Sequence, residues 1–163
     1  MLSCNRRFLL LAGPLAALSA CGFTPVYGPG GQGRALWGRI RFDASATEEG
    51  YLLVRNLEER LGRASSIDFV LTARTTVTEE GQGLTAEGNI TRFSIVGKVR
   101  YEMRATDSDA VVASGSVENF TGYSATGTTV ETLAAQSDAR ERLMEILADQ
   151  IAARLLADVD ATG

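Results

Sequence analysis

The stretch Thr91-Arg92-Phe93-Ser94-Ile95-Val96-Gly97-Lys98-Val99-Arg100-Tyr101-Glu102-Met103-Arg104-Ala105 decides how this chain folds. Phe93, Ile95, Val99, Tyr101 and Met103 alternate with Arg92, Ser94, Lys98, Arg100, Glu102 and Arg104. A period of two with apolar residues on one side is the signature of a strand with one dry and one wet face. At about 3.3 Å per residue it spans roughly 50 Å, long for a small domain. Upstream, Ile67, Phe69, Leu71 and Ala73 share one face, while Asp68, Val70, Thr72, Arg74 and Thr76 share the other. Glu79-Glu80-Gly81-Gln82-Gly83 interrupts that alternation and reads as a turn or hairpin loop. Downstream, Thr106-Asp107-Ser108-Asp109 makes a turn. Val111, Ala113, Gly115 and Val117 then supply the inner face of a returning strand, which runs through Phe120 towards Tyr123.

Two helical stretches flank these strands. Leu53, Leu57 and Leu61 recur at i, i+4 and i+8, with Ser45-x-x-Glu48 at capping-box spacing before them and Gly62 as the stop. Ala139, Leu143, Ile146, Leu147, Ile151 and Leu155 form the stripe of a long final helix, which Thr128-x-x-Glu131 caps after a small-residue linker from Ser124 to Thr129. A first strand is expected over Leu36 to Phe42. The order β-α-β-β-β-α predicts an α+β fold: one four-stranded, largely antiparallel sheet with two helices packed on one face.

The N-terminus has a different character. Arg6 and Arg7 precede the apolar run Phe8–Leu18, which is eleven residues long and about half of what a membrane span requires. Leu18-Ser19-Ala20-Cys21 resembles the lipobox of bacterial lipoproteins, whose cysteine becomes the lipidated first residue. Residues 1–20 are therefore expected to be a lipoprotein signal peptide. Residues 21–38, rich in glycine and carrying Pro25 and Pro29, are expected to be a lipidated flexible tether, and residues 39–160 the folded domain. Resemblance to lipoproteins also implies a sorting rule, under which Gly22 rather than aspartate after the cysteine favours the outer membrane. Asn5-Arg6-Arg7-Phe8-Leu9-Leu10 is a partial match to a twin-arginine signal and leaves the export route open.

Composition excludes much chemistry. The chain has 163 residues, no histidine and only two cysteines, Cys4 and Cys21. A Ser-His or Cys-His nucleophile pair cannot form, and no disulfide or thiolate site is available beyond residue 21. The remaining catalytic option is a carboxylate pair. Glu48-Glu49, Glu58-Glu59 and Glu79-Glu80 are adjacent in sequence, which points their side chains apart rather than across a cleft. The 16 basic residues, less Arg6 and Arg7, leave 14 against 20 acidic, a net charge of −6 without the leader. Arg92, Lys98, Arg100 and Arg104 nonetheless line one strand face, with Arg74 on the preceding strand. Arginine forks suit phosphate groups, so these five are candidate anion contacts; the alternative is a solvated face ion-paired to Glu102 and Glu118. The acidic balance and the lack of an aromatic stacking platform argue against nucleic acid. Phe23, Tyr27, Trp37, Phe120 and Tyr123 are candidate partner contacts, core packing being the alternative for Phe120.

Cys21-Gly22-Phe23-Thr24-Pro25-Val26-Tyr27-Gly28, Thr91-Arg92-Phe93 in a long strand followed by Tyr101, and the terminal helix with Ala139-Arg140, Leu147-Ala148-Asp149-Gln150-Ile151 and Arg154-Leu155 together resemble the LptE family of lipopolysaccharide-assembly lipoproteins. The resemblance implies a plug and assembly partner of the outer-membrane β-barrel LptD, lipopolysaccharide as a direct ligand, anchoring at Cys21 on the periplasmic side of the outer membrane, no cofactor and no catalytic residues. Another envelope-assembly or lipid-transport accessory lipoprotein, or a carboxylate-dependent periplasmic hydrolase, are the alternatives.

Overall fold

The computed structural model describes residues 33–84, 88 and 90–162. After a single helical turn at Gly33–Leu36 come β1 (Ile40–Ala44), α1 (Glu48–Leu61), β2 (Phe69–Leu84), β3 (Ile90–Ala105), β4 (Val111–Ser124) and α2 (Thr129–Thr162). The sheet order is β1-β2-β3-β4. β1 and β2 run parallel, because α1 carries the chain back between them, and the other two pairings are antiparallel. The fold is the expected α+β sheet with two long helices, and its mixed character comes entirely from this one crossover. The first strand begins at Ile40 rather than Leu36, and Leu36 instead tucks into the core.

Caps set the helix ends. The α1 cap is Thr47, whose Oγ1 accepts from the Gly50 N–H at 3.1 Å, so the expected Ser45 box is displaced by two residues. Gly62, at φ 79°, ends the helix in the left-handed region that a side chain would strain. The α2 box forms as read: the Thr128 N–H donates to Glu131 Oε2 at 2.7 Å and the Glu131 N–H to Thr128 Oγ1 at 3.4 Å.

The core lies between the inner sheet face and both helices. Leu53, Leu57 and Leu61 of α1 and Leu143, Leu147, Ile151 and Leu155 of α2 are fully buried against Leu71, Ile95, Val99 and Met103. Met144 and Ala148, off the predicted stripe, are buried too, while Ile146 is only partly covered. Arg55 pairs with Glu141, and Arg60 with Asp149 and Glu145, across the helix seam. α1 packs over β1 and β2, α2 over β3 and β4. Strand β3 and helix α2 match in reach, about 50 Å each from their 16 and 34 residues.

Two expectations change along the sheet, and one alternative is removed. Glu79–Gly83 is not a loop: β2 continues to Leu84, with Glu79 opposite Ile95 and Glu80 opposite Ser94. The long neighbour β3 supplies ladder partners that outweigh the poor strand propensity of these residues. Val111 is exposed, because a register shift between Met103 and Arg104 turns it off the inner face. Phe120 points outward and is 68% exposed, so it is not a core residue.

Candidate functional site

Among the described residues, helices cover only one face of the sheet and the other is open. Reading the register across that open face gives a series of rows. Arg41 lies beside Val70 and Arg104; Asp43 beside Thr72 and Glu102; Arg74 beside Arg100 and Ser116; Thr76 beside Lys98 and Glu118; Val96 beside Phe120; Ser94 beside Gly122; Arg92 beside Ser124. All five basic residues singled out from the sequence therefore share this face.

Their surroundings differ. Lys98 Nζ sits 3.1 Å from Glu118, and Arg104 Nε 2.7 Å from Glu102 with Asp109 also in reach. These two charges are balanced by neighbours. Arg74 and Arg100 are directly opposed across β2 and β3, and neither has an acidic partner within 4.0 Å among the described residues. Like charges set opposite one another cost stability. The register thus places two arginines opposite one another on the open face, each without an acidic partner within 4.0 Å among the described residues. Among the described residues Arg92 is also without an ionic partner within 4.0 Å, and it lines an open groove of about 570 Å³ near the tip of the sheet, together with Glu80, Val96, Phe120 and Gly122. Val96 and Arg100 are four residues apart along β3, about 13 Å, so the opposed arginines and the groove lie in line on one surface.

Beneath the groove, on the covered face, Phe93 stacks on Tyr123 with ring centres 5.2 Å apart. The Tyr123 hydroxyl donates to Glu79 Oε1 at 2.6 Å, while Gln136 Nε2 and Arg140 Nη2 donate to Glu79 Oε2 at 2.8 and 3.4 Å. One carboxylate thus ties β2, β4 and α2 together where the apolar core has thinned. Burial pushes Glu79 up, but the Tyr123 hydroxyl, the Gln136 amide and the Arg140 guanidinium outweigh it and hold the carboxyl below its ordinary value. Burial, then the adjoining carboxylate, pushes Tyr123 up to about 12. The depressed carboxylate contributes stability present above its unfolded pKa and lost as pH falls through its folded one. The raised phenol contributes stability present below the ordinary tyrosine value and lost as pH rises through about 12. The Glu79 side chain is 26% exposed. Replacing Glu79 by alanine is expected to cost about 2 kcal/mol at neutral pH, the range for charge-assisted hydrogen bonds, and to remove part of the acid sensitivity. Urea melts of both proteins at pH 7 and pH 3 check this: the gap between them should narrow at pH 3.

Sequence reasoning placed the basic face correctly but missed Glu79 and could not tell Arg74 and Arg100 from their neighbours. A usable signal was present for Glu79, since it continues the inner-face phase of Ala73, Thr75 and Val77. Trp37 and Phe120 are exposed as partner contacts require, whereas Tyr123 is buried. Cys21, Phe23 and Tyr27 lie outside the described residues. Among the described residues no helix is long and apolar enough to cross a membrane, and no cluster of acidic or thiol side chains could hold a metal ion.

The architecture and the open basic face together define a small α+β module that buries one sheet face under two helices and leaves the other free. Residues 38–155 match the family model described as LptE, lipopolysaccharide-assembly, and the chain belongs to that family. The fold is shared with solved structures. A putative lipoprotein from Caulobacter crescentus is 23% identical over 81% of this chain and 97% of its own, with a TM-score of 0.66. Rare lipoprotein B from Shewanella oneidensis is 14% identical over 76% and 97%, with a TM-score of 0.57. Lipoprotein B from Nitrosomonas europaea is 15% identical over 77% and 86%, with a TM-score of 0.58. No curated protein sequence matches the chain.

Proposed function

We propose that this chain is an outer-membrane lipoprotein that serves as plug and assembly partner of the LptD β-barrel in lipopolysaccharide transport, working by binding and not by catalysis. On this reading residues 1–20 are the signal peptide, Cys21 carries the acyl anchor on the periplasmic side of the membrane, residues 21–38 lead from it, and residues 39–160 are the working domain. Membership of the lipopolysaccharide-assembly family supports the reading. The observation that carries the ligand assignment is the opposed, uncompensated Arg74–Arg100 pair on the open face. Phosphate groups of lipid A match these forks, and the groove at Arg92, Val96 and Phe120 accepts apolar chains in line with them. Lys98 and Arg104 flank the site and are paired with Glu118 and Glu102.

Purification through a tag on this chain from cells producing the barrel tests both halves of the reading. LptD is expected to co-purify. The double variant Arg74→Asp/Arg100→Asp should still bring down the barrel, while its affinity for purified lipopolysaccharide falls at least about tenfold, the equivalent of about 1.4 kcal/mol. Unchanged lipopolysaccharide affinity would remove the phosphate assignment, and absence of the barrel would remove the partner.

A further inference from the structure

We infer that the free edge of β4 is a docking site for an extended segment of a partner protein, which joins the sheet as a fifth strand. The backbone pattern is the starting point. The Ala125 N–H donates to Thr91 O at 2.9 Å, which marks a bonded pair at the end of the β3–β4 ladder. Bonded and non-bonded pairs alternate in an antiparallel ladder. Along the register Phe93–Tyr123, Ile95–Thr121, Gly97–Asn119 and Val99–Val117, the odd-numbered residues of β4 therefore face β3. Ser114, Ser116, Glu118, Phe120 and Gly122 turn both N–H and C=O away from the sheet. Two contacts agree with this phase: Arg154 Nη1 donates to Ser116 O at 2.6 Å, and the Phe120 N–H donates to its neighbour's Asn119 Oδ1 at 2.8 Å. The outward groups of Ser114, Glu118 and Gly122 have no protein partner among the described residues.

Natural edges are short, bulged, or guarded by lysine and proline. On the opposite side β1 is five residues long and charged, and β2, which is an edge beyond Ala73, carries Arg74, Glu79 and Glu80 and is bulged at Gly81–Gly83. β4 is 14 residues long, contains neither lysine nor proline, and its one register shift lies at its beginning, leaving Ser114–Gly122 regular. Its guards are the two side-chain contacts just described, and both are replaceable by backbone. A row of alternating donors and acceptors at strand spacing is matched by another strand, the recognition mode in which main-chain bonds supply affinity and alternate side chains supply specificity. The specificity elements lie on the open face: Phe120, with the groove beside it, takes an apolar residue of the incoming strand, and Glu118, shared with Lys98, takes a basic residue two positions away. Docking displaces Arg154 from the Ser116 carbonyl.

The inference rests on the proposed function only in taking the partner to be an envelope protein. A photo-crosslinking residue placed singly at Ser114, Ser116 and Glu118 of the full-length lipoprotein in Gram-negative cells, with the crosslinked partner residues mapped by mass spectrometry, tests it. The three positions should react with one partner segment at sites two residues apart in order, and a probe at Tyr51, 68% exposed on α1, should not. Glu118→Pro removes an N–H that β3 does not use, and should lower the yield from Ser114 at least tenfold without shifting the melting temperature. If that variant fails to fold, Phe120→Lys makes the same test through an edge lysine. No crosslinks, scattered partner sites, crosslinks to a second copy of this chain, or yields indifferent to both substitutions would each overturn the inference. Ordered crosslinks to a protein other than LptD would uphold strand addition and refute the barrel assignment. LptD recovered without ordered crosslinks would do the reverse.

Discussion

Alanine in place of Cys21 is expected to release nearly all of the protein from the membrane and to abolish its labelling by palmitate. Lipidation is the one step in the proposed function with no substitute elsewhere in the sequence: Cys4 lies inside the leader and no other cysteine exists. Each buried CH₂ contributes about 0.8 kcal/mol, a single acyl chain gives marginal binding and two signals give stable anchoring. On the proposed reading, losing the acyl anchor therefore removes far more than any surface contact restores. No helix among the described residues is long and apolar enough to hold the chain in a bilayer. Fractionation in cells that do not overproduce the barrel, together with acyl labelling, checks the prediction. A Cys21→Ala protein that still incorporates palmitate would remove the lipobox assignment. Just before β1, Leu36 is buried and the Gly38 N–H donates to Leu61 O at 2.8 Å.

The largest change in stability is expected where α2 crosses β3. Gly97 lies on the inner face, and a Cβ there would stand 2.9 Å from Leu143 Cδ2 and 2.9 Å from Leu147 Cδ1. Glycine is what permits the helix to settle so close to the sheet. Leu147→Ala removes a fully buried side chain and should cost about 3–4 kcal/mol from lost burial and the cavity left behind. Gly97→Val should cost about 2–3 kcal/mol by the opposite mechanism, pressing branched methyl groups into a filled space. Combined, they should cost clearly less than their sum, because the valine occupies volume that the leucine vacates. Denaturant melts of the four proteins complete the cycle. Strict additivity would show that the close approach of helix and sheet at this point does not limit the packing.

The same two residues show why some features were legible in the sequence and others were not. Leu147 sits on a stripe of period 3.6, and the alternation around Gly97 has period two, so each residue's face follows from its own neighbours in the chain. Glu79 does not work that way. Two glutamates and two glycines within five residues resemble a turn, and β2 runs through them because β3 pairs with it along the whole length. The carboxylate is then satisfied by Tyr123, Gln136 and Arg140, which lie 44, 57 and 61 residues further along the chain. Phe120 illustrates the converse: its even number places it on the open face with Glu118, which removes the core-packing alternative that its hydrophobicity had left open.

Read alone, the sequence determined the order of strands and helices, the inner and outer faces of the long strand and the concentration of arginine on its wet side. Those are properties of composition and of local periodicity, which the chain carries within windows of about fifteen residues. Only the tertiary structure decided that Arg74 stands opposite Arg100 while Lys98 and Arg104 find glutamates, that Glu79 is a junction and not a loop, and that β4 keeps an open edge. Each of these depends on which residue of one strand faces which residue of another. That register is set by pairing across tens of residues and by the bulge at Met103–Arg104, and a shift of one position would exchange every partner.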